Sequence, residues 1–176
     1  MIISRSFTTG LASVVLAAAM FSAAAPAQTI RNHNSNAPVT VDAGASELLD
    51  RVDRAAFFGG VTIQQAGLTI KANRVNLAYT SGSGIDIDRV DAVGSVIITK
   101  DDLRATSSSA IYDLDRKLIT LIGGVKLAQG ANRLSGGRLV IDLNSGRSTL
   151  GGGGTPGVTN SGGRVTGTFS VPQRNN

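Results

Sequence analysis

The sequence has no cysteine and no tryptophan, one histidine, and only seven aromatic residues among 176. Each shortage removes something. Without cysteine there is no disulfide, no thiolate metal site and no cysteine nucleophile. Periplasmic chains can lack it too, so this absence leaves the compartment open. The single histidine, His33, lies in a polar stretch and cannot build a Ser-His-Asp triad or a histidine-based metal centre. The glycine cluster at 151–154 is not followed by the Lys-Ser/Thr of a phosphate loop. Asp86, Asp88 and Asp91, and the pair Asp101-Asp102, lack the spacing and closing glutamate of a calcium loop. Spacing alone does not dispose of a carboxylate pair for glycoside hydrolysis, because strands bring distant residues together. The twelve carboxylates, though, stand mostly at turns or beside basic residues, as solvated ends do. The expectation is a protein that is not an enzyme and uses no metal and no cofactor.

Charge of one sign is in modest excess, at +5. Nucleic acid is the first partner such a balance brings to mind. Yet the basic residues stand singly, with Arg116-Lys117 the sole adjacent pair, and the aromatics are not interleaved with them as stacking platforms. The charges fit the polar faces of strands better, and tolerate anionic head groups nearby.

Residues 1–27 read as an export signal. Arg5 gives the positive start, 11–21 is apolar and uncharged, and Ala25-Pro26-Ala27 offers small residues to a signal peptidase, with Gln28 as the new N-terminus. Counting the alanines up to Ala25 lengthens the apolar run towards the roughly 20 residues of a spanning helix, so a retained anchor is the alternative. Export follows in both cases. Residues 28–38 are polar and are expected to form a flexible arm in which His33 is solvated.

From Val39 onward the dominant period is two. Val61 and Ile63, Leu68, Ile70 and Ala72, Val75, Leu77 and Tyr79, and Leu139, Ile141 and Leu143 fall on alternate positions. This is the signature of half-buried antiparallel strands. Only 45–54 carries a weak helical period, and it reads equally as a strand with its turn. The chain also repeats itself: Phe57-Phe58-Gly59-Gly60-Val61-Thr62-Ile63 matches Ala92-Val93-Gly94-Ser95-Val96-Ile97-Ile98 and Leu121-Ile122-Gly123-Gly124-Val125-Lys126-Leu127. A second unit follows each, at 68–79, 103–113 and 134–142. The period is about 30 residues, and no unit is large enough to bury its own apolar face. Glycines 59, 94 and 123 sit inside strands and predict bulges or close backbone approaches. Turns are expected at 81–84, 100–102, 113–116 and 144–146, a flexible Gly-rich loop at 151–163, a last strand at 164–171 and a disordered tail at 172–176.

The fold class is therefore all-β, either two facing sheets or one rolled sheet, in a single domain over 39–171. The inward set comprises Phe57, Val61, Ile63, Leu68, Ile70, Ala92, Val96, Ile98, Leu103, Leu121, Val125, Leu127, Leu134, Leu139, Ile141, Val165 and Phe169. It is aliphatic and poor in rings, which leaves room for a slot able to take flexible acyl chains. The same pattern is met by side chains that pack only on each other.

The order Gly59-Gly60-Val61, then 68–79 with its Leu-x-Ile-x-Ala-Asn-Arg-Val-x-Leu-x-Tyr, then 87–96, 110–113, 119–127, 134–146 and 163–169, resembles the OstA-like lipopolysaccharide-transport family over nearly the whole chain after the export signal. The resemblance implies an open, twisted antiparallel β-jellyroll of two facing sheets in the Gram-negative periplasm. It implies acyl chains between the sheets, with phosphates and sugars outside. It also implies end-to-end stacking of jellyrolls into a bridge between an inner-membrane transporter and an outer-membrane translocon. On that basis Phe57, Val61, Ile63, Leu68, Ile70, Val96, Ile98, Leu121, Val125, Leu127, Leu139 and Ile141 are expected to line a lipid groove. Arg74, Arg104 and Arg133, near strand ends, are head-group candidates. Val39, Val41, Val165 and Phe169 mark the assembly edges, where partner jellyrolls or a second copy would pair. Two rivals remain: a membrane-anchored sibling of the same family, and a structural β-assembly protein that binds no lipid. The Gly-rich insert departs from the compact family pattern and leaves the C-terminal edge strand open.

Overall fold

The computed structural model describes residues 33–82, 84–152 and 163–170. The stretches expected to form the export signal, the first part of the arm, most of the Gly-rich loop and the C-terminal tail lie outside them. The described chain forms one antiparallel sheet of ten strands. Six long strands make a meander: β3 (Arg54–Gln65), β4 (Leu68–Ser81), β5 (Ile85–Lys100), β6 (Leu103–Asp113), β7 (Leu118–Gln129) and β8 (Asn132–Asp142). Four short ones lie at the two edges: β1 (Thr40–Asp42) and β2 (Ala45–Leu49) pair with β3, while β9 (Arg147–Gly151) and β10 (Thr166–Thr168) pair with β8. The ambiguous stretch 45–54 resolves as β2 followed by a 3-10 turn at Asp50–Val52.

Every long strand changes register near its middle, and the changes line up across the sheet. Residues 59 and 60 of β3 face Asn73 alone; residues 94 and 95 of β5 face Ser108; residues 123 and 124 of β7 face Gly137. Two residues against one is a β-bulge, which bends the strand and sharpens its twist. A row of bulges across six strands is a crease. It folds the sheet into two facing layers with one apolar interior.

The ~30-residue repeat is thus a hairpin: an outgoing strand with a glycine bulge, then a return strand whose inward phase slips at the same level. Buried positions on β4 run Leu68, Ile70, Ala72 and then Val75 and Leu77. On β6 they run Leu103, Ala105, Ser107 and then Ala110 and Tyr112. The crease needs small residues because chains approach there. A Cβ on Gly94 (φ +84°) would lie 2.8 Å from the Asn73 amide nitrogen, and one on Gly123 would lie 2.9 Å from Ser108 Oγ.

One layer ends in tight two-residue turns at Ala66-Gly67, Asp101-Asp102 and Gly130-Ala131. The other ends in the longer connections 82–84, 114–117 and 143–146. The edges are split between the layers. Strand β1 pairs with Thr62–Gln64 in the short-turn layer and β2 with Arg54–Phe58 in the long-turn layer. At the other edge β10 joins the short-turn layer at Arg133–Ser135 and β9 joins the long-turn layer at Arg138–Asp142.

Candidate functional site: an apolar trough with a polar mouth

The two layers meet at the crease on one side and leave a mouth on the other, where the strand ends of both layers come together. Val61, Ile63, Leu68, Ile70, Val96, Ile98, Val125 and Leu127 line the short-turn layer. Leu121, Leu139 and Ile141 line the long-turn layer. All are buried, and Ile98, Val96, Leu121, Leu139 and Ile141 expose nothing at all. Phe57 is half-buried and packs against this core from near the crease. The sequence set omitted Val75, Val90, Ala110, Tyr112 and Ile119, which are equally buried and inward. In this state the trough is filled by its own side chains; the gap bounded by Ile63, Leu68, Ile70, Val90 and Tyr112 is too narrow for a water molecule.

The mouth is polar and organised around one amide. Gln65, the last residue of β3, points inward from the short-turn layer, and Tyr112 points inward from the end of β6 in the long-turn layer. The Tyr112 hydroxyl donates to Gln65 Oε1 at 2.8 Å. His33 Nε2 lies 3.1 Å from the same oxygen and 3.3 Å from the Tyr112 hydroxyl. A hydrogen on Nε2 serves both. Gln65 Nε2 donates to the carbonyls of Ser35 and Ala37, each at 2.9 Å. His33 is only 9% exposed. The expectation of a solvated histidine is therefore corrected: Gln65 and Tyr112 give the ring partners that the sequence does not place beside it. Burial lowers the His33 pKa from its ordinary value; the Gln65 hydrogen bond opposes the shift and the Lys100 charge adds to it. Burial also raises the Tyr112 pKa. Beside this cluster a cavity of about 790 Å³ is bounded by residues 35–39, Gln65, the start of β5 and the Leu114-Asp115 turn.

The basic candidates separate. Arg104 and Arg133 stand near the strand ends at the short-turn lip and share a shallow hollow of about 290 Å³ with the outward-facing Lys126. Arg133 Nη1 is held by the carbonyls of Gly130 (2.6 Å) and Asn132 (2.8 Å). Arg74 is not near a strand end. It sits at the crease, its guanidinium 4.4 Å over the Phe58 ring and its Nε donating to Asn76 at 3.3 Å.

At the edges, Val39 and Val41 pack half-buried on the core. Val165 and Phe169 were assigned to the inward face and are instead 44% and 64% exposed. Strand β10 is too short to carry their side chains over the core, and only Thr166–Thr168 pairs. Strand β2 is exposed throughout, with Leu48 at 62%.

Residues 40–147 match the model of the LptA/(LptD N-terminal domain) LPS transport protein family. The chain belongs to this family. The match runs from the first residue of β1 to the first residue of β9, so it takes in the creased meander and leaves the C-terminal edge outside. The fold agrees with LptH, the LptA-homologous periplasmic component of the conserved lipopolysaccharide transport device of Pseudomonas aeruginosa. The TM-score is 0.67 at 22% identity, covering 78% of this chain and 98% of that one. An uncharacterized protein, R00383, of Rhizobium meliloti (strain 1021) is 27% identical over 146 residues, 79% of this chain and 78% of its own length. The open, twisted antiparallel jellyroll expected from sequence is the fold found, and the family is one of lipopolysaccharide transport.

Proposed function

We propose that the chain is exported to the periplasm, holds the acyl chains of lipopolysaccharide between its two layers, and serves as a link in a bridge from the inner to the outer membrane. Residues 1–27 act as the export signal in this reading. The observation that carries the proposal is the split edge. Each end of the sheet offers one short strand to each layer, β1 and β2 at one end, β9 and β10 at the other. A neighbouring jellyroll that pairs with such an edge extends both layers at once, and with them the apolar space between. An acyl chain exposed to water costs about 0.8 kcal/mol per methylene. A continuous trough removes that barrier without chemistry.

The filled interior is the resting state. The inward residues near its middle are aliphatic or alanine, which slide past one another and past a guest without leaving hydrogen bonds unmade. The layers part about the crease to admit the chain. Arg104 and Arg133 at the short-turn lip suit the anionic head group; Arg74, at the crease, does not take part.

A photo-crosslinking amino acid at Ile63, Ile98 or Leu127 should capture lipopolysaccharide, while the outward neighbours Thr62 and Lys126 give little. Capture at Thr62 and Lys126 alone would overturn the assignment of faces and the trough with it.

A further inference from the structure

Among the described residues, 33–39 ahead of β1 have no strand partner, yet they stay against the molecule. Between residues 33 and 38 the attachment runs largely through side chains: Gln65 binds the carbonyls of Ser35 and Ala37, and His33 reaches both Gln65 and Tyr112. Gln65 belongs to one lip of the trough and Tyr112 to the other, so the cluster ties lip to lip with the arm laid over it. The narrow gap between Ile63, Leu68, Val90 and Tyr112 lies directly beneath, and the larger cavity lies beside it. All the polar atoms of the Gln65 amide are used. Such an attachment opens locally, without unfolding the sheet, because no ladder of backbone bonds must break.

We propose that residues 33–38 form a strap across the mouth of the trough, latched by His33, Gln65 and Tyr112, and that this latch opens before an acyl chain passes between the lips. The inference rests on the lipid reading above for its guest, but the latch itself is a property of the free protein. In the closed state the strap and the guest compete for the same opening. Weakening the latch raises the fraction of molecules ready to bind and so raises the association rate.

The test uses the mature full-length protein, Gln65→Leu, which keeps the buried volume and removes all four bonds, and His33→Ala, which removes part of them. Hydrogen exchange is followed at the amides of Ser35, Asn36, Ala37 and Val39, with β7 as the internal reference. Exchange in the arm should quicken about tenfold in Gln65→Leu and less in His33→Ala, with β7 unchanged. Stopped-flow capture of fluorescently labelled lipopolysaccharide should quicken by a similar factor. Unchanged exchange in both variants would overturn the latch. Faster exchange with an unchanged capture rate would overturn its role as a gate. If neither the native protein nor the variants captured the labelled lipid, the lipid reading would fall and the gate with it, while the exchange result would still decide whether the strap is latched.

Discussion

His33 illustrates how one buried side chain can tie the state of the mouth to pH. Its Nε2 serves Gln65 and Tyr112, and its Nδ1 is buried without a partner among the described residues. Protonation would place a second hydrogen on Nδ1 and a charge in a site already facing Lys100. The closed arrangement thus prefers the neutral ring, and the pKa is lowered there, chiefly by burial. The released arm returns the ring to water and to about 6.5. The open state therefore binds more protons, so the latch keeps its full strength above about pH 6.5 and loses it as the pH falls from there through the lowered value. The chain has no tryptophan, so Asn36→Trp on the exposed side of the strap supplies a lone tryptophan that can be excited apart from the two tyrosines. Its emission anisotropy should fall between pH 7.5 and 5, and the fall should vanish when His33→Ala is added. An anisotropy flat across that range in the single variant would show that the ring does not sense the proton.

The hairpin with a bulge is the element from which the molecule is built, and its cost of disruption can be located. Gly94 combines a left-handed backbone with the Asn73 side chain where a Cβ would go. Gly94→Ala should cost about 1–3 kcal/mol in a denaturant titration. Adding Asn73→Gly should return the steric share and leave the backbone share, so the two changes will not add. Strict additivity would mean that the contact across the crease carries no energy.

The same element explains what could be read from sequence and what could not. The outgoing strands announce their bulges with Gly59, Gly94 and Gly123, so the repeat, the strand pairs and the main turns were legible. The return strands slip phase at Asn73 and Ser108, residues that mark nothing by themselves. Val75, Ala110 and Tyr112 therefore fell off the inward set, and Arg74 was placed near a strand end instead of at the crease. Val165 and Phe169 alternate correctly, but alternation does not say whether a terminal strand is long enough to cover the core. The partners of His33 lie 32 and 79 residues away in sequence; a long-range polar cluster of that kind leaves no local pattern to read.

At the scale of the whole molecule, the proposed lipid reading asks the trough to be both a core and a binding site, and the two demands oppose each other. In the free protein the inward side chains of both layers supply the burial that holds the fold. A guest has to replace those contacts with its own methylenes. Ile98 is wholly buried in the interior, and Ile98→Ala should destabilise the free protein by about 2–5 kcal/mol through lost burial and the space left behind. Any ligand that binds only the folded form also stabilises it, by about 2.7 kcal/mol at a hundred times its Kd. For the native protein that gain is what remains after interlayer packing has been broken. For Ile98→Ala part of the packing is already gone and the vacated volume is shaped to hold a hydrocarbon chain. The same concentration of lipopolysaccharide should therefore raise the melting temperature of the variant by more than it raises that of the native protein. A core residue that never meets the guest predicts equal shifts. Thermal denaturation of both proteins with and without lipopolysaccharide thus distinguishes a trough that opens from a sandwich that stays shut.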